Sequence, residues 1–457
     1  MVQDWRQKLL PALRAPLDYM RPRTIRIGVT GLARAGKTVL LTSLASTLLA
    51  SNALGGRIVR ARLASAGAEA LPRFDHVAHL AALAADPPHW PARTDAVSLL
   101  AFDLELRPAF ATLPPRQVRL ELLDYPGEWL LDLPLLELSY ADWSQSVLSR
   151  LERPGLIDAT RDFLAFAHAL PAHASADEAL ALSGHRLYVA TLTRLRDLHG
   201  MAMLQPGRFL MPAPGAAPPW MSFFPLMGSG PLADLMRRRY EAYVTATRDA
   251  LVSPLFGRID RLVVLADLLG ALHTGPDAFA DAQAALAAAS SGLRWQGSWL
   301  SSIASLAALR LPPRVISRVA YVASKADHVS ERQRGNLAAL MGALTGQPGL
   351  RGDAASGALP SGVRSASFAV ASARCTEDFV WTLDGHPVSA VRGRLLGSER
   401  LTRSYPGEVP DRPPGPEFWA HPFLELPAFE PARLLRGAAI PNIGLDALLG
   451  FLLEDLL

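Results

Sequence analysis

Apolar segments of two kinds alternate along the chain, and together they predict an α/β protein. Ile25–Thr30 alternates apolar and polar positions and is rich in β-branched residues, as a strand is. Leu262–Ala266, Val319–Ala323 and Ser367–Ala371 are nearly continuous apolar runs. Such runs are typical of parallel strands that are buried on both faces. We therefore expect a mostly parallel sheet at the centre of the fold.

Two further strands and a helix are predicted by the same patterns. Val97–Leu106 and Gln117–Leu123 are strand candidates, and the connection between them is short enough for an antiparallel pair. We therefore expect one antiparallel edge strand in the sheet. Thr38–Ala50 has the length and spacing of a helix that follows the first strand.

Helical spacing dominates the middle of the chain. Residues 130–257 are rich in leucine and alanine, and Leu151–Leu170, Ala176–His199 and Leu232–Leu251 have helical periodicity. We predict that these residues form a helical subdomain inserted into the α/β domain.

The last part of the chain combines irregular sequence with one clear helix. Residues 374–443 are irregular, apart from a hairpin turn predicted at Asp384-Gly385. Gly444–Leu457 predicts an amphipathic helix whose leucine stripe packs in the core, with a membrane or partner face as the alternative. In chain order, the predicted units are an N-terminal helical segment (1–24), the first part of the core (25–129), the helical insertion (130–257), the second part of the core (258–373), the irregular insertion (374–443) and the C-terminal helix (444–457).

Composition narrows the class of protein. The 457 residues are 50% hydrophobic and 19% charged, which is the balance of a globular protein. The net charge of +4 is too small and diffuse to indicate nucleic-acid binding. The single cysteine, Cys375, leaves no internal disulfide and favours a reducing cytoplasm. A signal peptide is not expected, because Pro11 and Pro16 interrupt residues 1–20 and these residues carry charge throughout. A transmembrane helix is not expected either, because no apolar run reaches about 18 residues.

A phosphate-binding loop is the strongest chemical motif. Gly31-Leu-Ala-Arg-Ala-Gly-Lys-Thr38 lies between a predicted strand and a predicted helix, which is the context that this motif requires. Its glycines let backbone N–H groups and a helix N-terminus face a β-phosphate. Lys37 would neutralise β- and γ-phosphate oxygens, and the Thr38 hydroxyl would bind Mg²⁺. The residues expected to contact the nucleotide here are Gly31, Ala33, Arg34, Ala35, Gly36, Lys37, Thr38 and Val39.

A second motif follows the strand predicted at Gln117–Leu123. Asp124 is followed three residues later by Gly127, as in GTP-binding proteins where the Asp holds the Mg²⁺ shell and the glycine N–H senses the γ-phosphate. Alone, an Asp before a Pro-Gly turn is ordinary turn chemistry. The next residue is Glu128 instead of the usual water-orienting glutamine. Glu128 is therefore a candidate to orient or deprotonate water, or it has neither role.

A third motif resembles the guanine-recognition sequence [Asn/Thr]-Lys-x-Asp. Ser324-Lys-Ala-Asp327 directly follows an apolar strand, with serine in place of asparagine or threonine. Asp327 would accept hydrogen bonds from guanine N1–H and the 2-amino group, and the Lys325 stem would pack over the base. Ser372 and Ala373, after the next strand, would meet the guanine O6.

Lysine usage agrees with these assignments. The chain has only three lysines, Lys8, Lys37 and Lys325, among 46 basic residues, and two of them lie in these motifs. A lysine that contacts phosphate is a compact point charge that an arginine fork does not replace.

Other candidates are less distinctive. Thr94 lies where a first switch loop supplies a Mg²⁺-binding threonine, although other Thr and Ser residues could serve. Arg34 lies inside the phosphate loop, which resembles the loop of guanylate-binding proteins and atlastins, where this arginine stabilises charge on the transferred phosphoryl group. The alternative is that Arg34 points to solvent. Asp267, at the end of an apolar strand, could instead be the metal-side acid of an ATPase. Trp90 and the nearby histidines His76, His79 and His89 are expected to be surface or loop residues.

The combined motifs resemble those of the YcjX-like family of bacterial P-loop proteins. They are Gly31–Thr38, Trp90–Thr94, Leu123–Trp129 and Lys325–His328, and Gln205–Leu210, Tyr405–Glu408 and Ile440–Ile443 fit as well. The resemblance extends from about residue 20 to the C-terminus. It implies a cytoplasmic, stress-associated nucleotide-binding protein with a Ras-like GTPase core and a helical insertion.

We therefore expect a three-layer P-loop NTPase of the Ras-like type that binds GTP or GDP with Mg²⁺ and hydrolyses GTP slowly. Its catalytic candidates are Arg34, Lys37 and Glu128, and its metal candidates are Thr38, Thr94 and Asp124. The alternatives are an ATPase that uses Asp267 and a nucleotide-gated scaffold with negligible turnover. The expected partners are a guanine nucleotide and an unidentified protein effector. Peripheral contact with the inner membrane and a homodimer stay open.

Overall fold

Seven strands form one sheet at the centre of the computed structural model. The structure describes residues 23–50, 53–65, 71–91, 97–108, 114–211, 218–249, 259–294, 316–346, 362–398, 400–421, 426–434 and 438–457. In chain order, the strands of the sheet are β1 (Arg23–Gly31), β2 (Ile58–Ala64), β3 (Ser98–Leu106), β4 (Arg116–Asp124), β5 (Arg261–Ala266), β6 (Arg318–Ala323) and β7 (Arg364–Ala369).

The spatial order of the sheet is β2-β3-β4-β1-β5-β6-β7. The strands β4, β1, β5, β6 and β7 are parallel. β3 is antiparallel to β4, and β2 is antiparallel to β3. This confirms the predicted fold class of a mostly parallel sheet. The antiparallel strand predicted at the edge, β3, lies one position inside it. The edge strand is β2, which was not predicted and pairs with the outer side of β3.

Helices cover both faces of the sheet and make three layers. On one face, α1 (Lys37–Leu49) packs with Ile25, Ile27 and Val29 of β1 and with the C-terminal helix. On the other face lie α8 (Leu268–Thr274), α9 (Pro276–Arg294) and α10 (Glu331–Leu344). The remaining described helix near this core is α2 (His76–Leu83), whose N-terminus is capped by the Asp75 side chain. β5 and β6 are buried along their whole length, as their apolar sequences predict.

The middle of the chain forms helices with a core of their own. They are α3 (Tyr140–Leu151), α4 (Ile157–Ala169), α5 (Glu178–Leu198), the short α6 (Gly207–Leu210) and α7 (Pro231–Thr247). The helix predicted across Leu151–Leu170 begins later, because Pro154 separates α3 from α4. Aromatic rings fill the centre, where Trp143 stacks on Tyr240 with ring centroids 5.2 Å apart. Below, these helices are called the helical insertion.

A second, smaller sheet follows β7. It consists of β8 (Thr376–Leu383), β9 (His386–Arg394) and β10 (Leu401–Ser404), all antiparallel, in the order β10-β9-β8. The predicted turn at Asp384-Gly385 joins β8 to β9, and both residues have the positive φ that a two-residue hairpin turn needs. The region predicted as irregular therefore contains three strands and the short α11 (Pro416–Trp419).

The C-terminal helix α12 (Leu445–Leu453) is part of the core. Its leucine stripe is buried against the sheet face that also carries α1. The stripe therefore packs internally and does not form a membrane face. By length and composition alone, Lys37–Gly56 is apolar enough to cross a membrane, but 56% of that window is buried in the protein, as in the core helix of a soluble fold. The predicted helix at residues 4–20 lies outside the described residues.

Candidate functional site

The phosphate loop lies between the central strand and the first helix. β1 ends at Gly31, and α1 begins at Lys37 after Gly36, which has a left-handed φ of 82°. The loop is fixed to the next strand because the Leu32 N–H donates to the Leu265 carbonyl at 2.8 Å. Residues 31–39 all line one cavity of about 450 Å³. The start of α1 therefore faces this cavity, with no side chain capping its N-terminus.

Lys37 is held beside a buried carboxylate. Its Nζ lies 2.7 Å from Oδ1 of Asp124 and also donates to the Tyr125 carbonyl. Asp124 ends β4, next to β1 in the sheet, and its side chain is 1% exposed. Within the described part of the chain, neither Asp124 oxygen has another hydrogen-bond partner. A buried carboxylate with one counter-ion attracts cations, so its chemistry fits a bound metal.

The turn after Asp124 is in close contact with the phosphate loop. A Cβ atom on Gly127 would lie 1.5 Å from the Gly31 carbonyl oxygen, so only glycine fits there. Gly127 and Glu128 both line the cavity, and Glu128 is buried. The turn continues as a 3₁₀ helix, Gly127–Leu136, below called the switch helix. A shift of Gly127 would therefore move an entire element.

The switch helix is bonded to the helical insertion at several points. The buried Asp132 carboxylate accepts hydrogen bonds from the Gly207 N–H at 2.7 Å and the Tyr243 hydroxyl at 2.5 Å. The Gln205 amide donates to the Leu131 carbonyl, and a Cβ on Gly207 would lie 1.9 Å from the Glu128 carbonyl oxygen. Burial raises the pKa of Asp132 to about 6, against which the Tyr243 and backbone hydrogen bonds act.

The motif predicted to recognise the base, Ser324–Asp327, contributes to the same cavity. Ser324, at the end of β6, donates to the Ala266 carbonyl at 3.2 Å. Asp327 is 3% exposed, and its Oδ2 accepts the Cys375 N–H at 2.8 Å. Asp327, Lys325, Ser372 and Ala373 all line the cavity. The strand that leads to Ser372 ends at Ala369, earlier than predicted.

Asp267 has other partners. Its Oδ1 caps α8 by accepting the Gly270 N–H at 2.9 Å, and its Oδ2 pairs with the Lys325 ammonium. It is not among the residues that line the cavity. Both oxygens therefore have partners in a helix cap and an ion pair, and the ATPase that uses Asp267 stays an alternative.

Arg34 reaches the helical insertion. It has a positive φ of 63°, its side chain is 61% exposed, and its guanidinium lies 3.5 Å from Asp197 near the end of α5. The predicted alternative, an Arg34 that points to solvent, fits the 61% exposure, and the contact with Asp197 comes in addition. Whether Arg34 takes part in catalysis stays a prediction.

The structure brings nearly all of the predicted nucleotide residues to one cavity, from Gly31 to Ala373. Asp124 lies behind Lys37 and does not itself line the cavity. Thr94 lies outside the described residues. Leu32, Pro91, Pro126 and His328 also line the cavity and lie inside the quoted motifs, although none of them was predicted as a site residue. Cys375, Ala428 and Phe429 line it as well, and no sequence motif pointed to them. Trp90 lines the cavity from the loop between α2 and β3 and is 36% exposed, as expected, whereas His76 is buried at the start of α2, so the expectation was wrong for His76.

Thr38 and Asp124 fit a magnesium ion. Thr38 directly follows Lys37 and lines the cavity, and Asp124 supplies a buried carboxylate paired only with the Lys37 ammonium among the described groups. Hydroxyl and carboxylate oxygens are the ligands that Mg²⁺ takes in phosphate-binding sites, usually with water and substrate oxygens. In the described ranges, no cluster of three or more His, Cys, Asp or Glu could bind a metal unaided.

Comparison with known proteins identifies a family that spans nearly the whole chain. Residues 25–457 match the model of the YcjX-like family, DUF463. The chain belongs to the YcjX-like family. It is 31% identical to a protein of Escherichia coli (strain K12) named Ras-like GTPase YcjX, over 98% of this chain and 99% of that protein. It is 29% identical to the Ras-like GTPase YcjX of Shewanella oneidensis, over 98% of both chains. In this YcjX-like chain, the family match covers the core, the helical insertion and the smaller sheet.

Proposed function

We propose that this protein binds GTP and GDP with Mg²⁺ and hydrolyses GTP slowly, as a stress-associated molecular switch in the cytoplasm. One observation carries the nucleotide assignment: a single cavity joins the phosphate loop to Asp327 and Ser372–Ala373. Two relatives named Ras-like GTPase support guanine over adenine. The stress-associated role rests on the family resemblance alone, and the cytoplasmic location rests on the single cysteine.

The phosphate end of the cavity supplies positive charge and backbone donors. The N–H groups at the start of α1 bind the phosphates, and Lys37 neutralises their oxygens. Lys37 would leave Asp124 to take this role, and Asp124 and Thr38 would then hold the Mg²⁺ ion. A cation would thus stay beside the buried Asp124 carboxylate. Bound Mg²⁺ would add charge neutralisation at the β- and γ-phosphate oxygens.

Hydrolysis is in-line attack of water on the γ-phosphorus, with breakage of the bond to the β-phosphate bridging oxygen. The protein mainly positions groups and stabilises charge in such a reaction. Arg34 supplies a cation from within the loop when it leaves Asp197. Glu128, buried beside Gly127, is the candidate to orient the water. Since glutamate replaces the usual glutamine, a scaffold with negligible turnover is the second candidate function.

Gly127 also gives the switch an output. The Gly127 N–H would contact the γ-phosphate. Gly127 packs against Gly31 of the phosphate loop and is also the first residue of the switch helix. Since the switch helix is bonded to Gly207 and Tyr243, the helical insertion would move or stiffen with the nucleotide state.

Base selectivity tests the proposal. A fluorescent GDP analogue is bound to the parent protein, to Asp327→Asn and to Asp267→Asn in the presence of magnesium. GTP, ATP and XTP are then compared for their ability to displace it. We expect ATP to be about 100-fold weaker than GTP, because adenine leaves Asp327 unpaired. Asp327→Asn should shift preference towards XTP, since the amide oxygen can keep the Cys375 N–H while the amide nitrogen donates to xanthine O2.

Two outcomes would oppose this assignment. Equal potency of ATP and GTP on the parent would favour an ATPase, and a shift in preference only for Asp267→Asn would place that residue in the site. Phosphate release from the parent, measured in single turnover, separates the hydrolase from the scaffold.

A further inference from the structure

The base end of the cavity has a wall that the nucleotide motifs do not supply. Cys375, Ala428 and Phe429 line it, and all three lie in the smaller sheet or the segment paired with it. The phosphate end carries Arg34 and Lys37, whereas this wall has no charged lining residue in the described ranges. An uncharged, partly aromatic surface suits the face of a purine base and not a phosphate.

The smaller sheet is fixed directly to the base-recognition loop. The Cys375 N–H donates to Asp327 Oδ2 at 2.8 Å, and the Thr376 hydroxyl donates to the Asp327 carbonyl. Two residues further along β8, Asp378 forms an ion pair with Arg334 of α10 at 2.8 Å. The sheet and Asp327 therefore form one rigid unit.

Phe429 is held against this sheet. It bridges to Leu395, and its neighbours are paired too, because the Leu396 N–H donates to the Ala428 carbonyl at 2.8 Å. Its ring lies against Gly393, where a Cβ would be 2.7 Å from the ring, and its centroid is 5.3 Å from that of His328. The ring thus occupies one defined place beside the Asp327 loop.

Trp90 joins the first switch region to the same wall. It lies in the connection between α2 and β3, four positions before Thr94 in the sequence. Its Nε1–H donates to the Phe429 carbonyl at 3.2 Å. The residue is 36% exposed and lines the cavity. The two aromatic residues come from segments that are far apart in the chain.

We propose that Trp90 and Phe429 form an aromatic wall, in which the exposed Trp90 contacts the purine base and the buried Phe429 supports it, and that this wall determines much of the affinity for the nucleoside part of the ligand. This inference rests on the proposed nucleotide binding. The smaller sheet is then a part of the nucleotide site, and its function is to place Phe429 beside the base that Asp327 recognises.

The test separates the base from the phosphates. Calorimetry with magnesium measures binding of GDP and of inorganic tripolyphosphate, which lacks a base, to the parent, Phe429→Leu and Trp90→Ala. Phe379→Leu is the matched control, because Phe379 lies in the same sheet beneath Arg392 and Arg403 and does not line the cavity. Thermal melting of each ligand-free variant reports on folding.

We expect Phe429→Leu and Trp90→Ala to weaken GDP about tenfold, the size of a lost base–aromatic contact, and to leave tripolyphosphate unchanged. Phe379→Leu should change neither. The wall is refuted if both variants bind GDP within twofold of the parent, or if GDP and tripolyphosphate weaken together. If Phe429→Leu does not fold, the binding of GDP and tripolyphosphate to Trp90→Ala alone decides whether the wall contributes to nucleotide affinity. A parent that binds tripolyphosphate but not GDP overturns the wall, and one that binds neither overturns the proposed function with it.

Discussion

Both lysines of the candidate site are paired with aspartates at the carboxyl ends of the strands on either side of β1. Lys37 pairs with Asp124, the last residue of β4, and Lys325 pairs with Asp267, directly after β5. They are two of only three lysines among 46 basic residues, and a lysine has a more compact charged group than an arginine. The two carboxylates hold the ammonium groups of Lys37 and Lys325 at the cavity. In each pair the aspartate lies outside the sequence motif that contains the lysine.

Arg34 permits a prediction at this scale. Arg34→Ala should lower the single-turnover rate of GTP hydrolysis by about 10³, the usual effect of removing an arginine that stabilises transition-state charge. GTP affinity and thermal stability should change little, because the side chain is mostly exposed and its contact with Asp197 is a surface ion pair. Phosphate release from preloaded protein measures the rate. Arg196→Ala, which removes the neighbouring partner of Asp197, is the control. An unchanged rate in Arg34→Ala would exclude it from catalysis.

At the scale of elements, close backbone contacts link the nucleotide site to the helical insertion. The phosphate loop contacts Gly127, and Gly207 contacts the carbonyl of the next residue, Glu128. Asp132 then bonds the switch helix to α6 and α7 through Gly207 and Tyr243. Neighbouring backbone atoms leave no room for a side chain at Gly127 or Gly207. The elements are therefore positioned by direct packing of main chain against main chain.

Tyr243→Phe should weaken this link without affecting the nucleotide site. Burial raises the pKa of the Tyr243 hydroxyl well above its ordinary value, so it remains a donor to Asp132. In the parent, we expect hydrogen exchange in Gly207–Leu210 and Pro231–Thr247 to differ between GDP and a non-hydrolysable GTP analogue. In Tyr243→Phe this difference should shrink, at a stability cost of about 1.5–3 kcal/mol for a lost hydrogen bond to a charged group.

Tyr240→Phe controls for loss of a hydroxyl from the same helix, because Tyr240 donates to the Leu138 carbonyl instead. The measurement belongs at pH 7.5, where Asp132, with a pKa of about 6, is ionised. Identical exchange in the two nucleotide states of the parent would contradict the coupling.

The elements also show what the sequence could and could not predict. β5 and β6 were predicted to within one residue, because strands buried on both faces admit only apolar side chains. The edge strand β2 was missed, since it is mostly exposed and carries Arg60 and Arg62 among its apolar residues. Site residues at the ends of parallel strands were found because such ends meet at one edge of the sheet. Phe429 was not predicted as a site residue, because its position depends on pairing with Leu395, and no local sequence pattern indicates that pairing.

At the scale of the whole molecule, the C-terminal helix closes one face of the sheet. Its leucines pack with α1 and with Val263 and Leu265 of β5. The charged end of the helix is fixed by arginines at the amino ends of the strands. Arg261 donates to the Leu452 carbonyl and to Asp455 at 2.7 Å, and Arg318 pairs with Glu454 at 2.6 Å. Glu454 and Asp455, which follow the helix, are thus bonded to the first residues of β5 and β6.

Asp455→Asn tests this anchorage. Arg261 has a side chain that is 1% exposed, and burial lowers its pKa while the charge of Asp455 raises it. Removing the carboxylate leaves a buried charge without its counter-ion, so we expect a loss of about 3–5 kcal/mol in unfolding free energy by chemical denaturation. Asp446→Asn, at an exposed position in the first turn of the same helix, should cost no more than about 1 kcal/mol. Equal and small effects of the two substitutions would mean that leucine packing alone holds the helix in place.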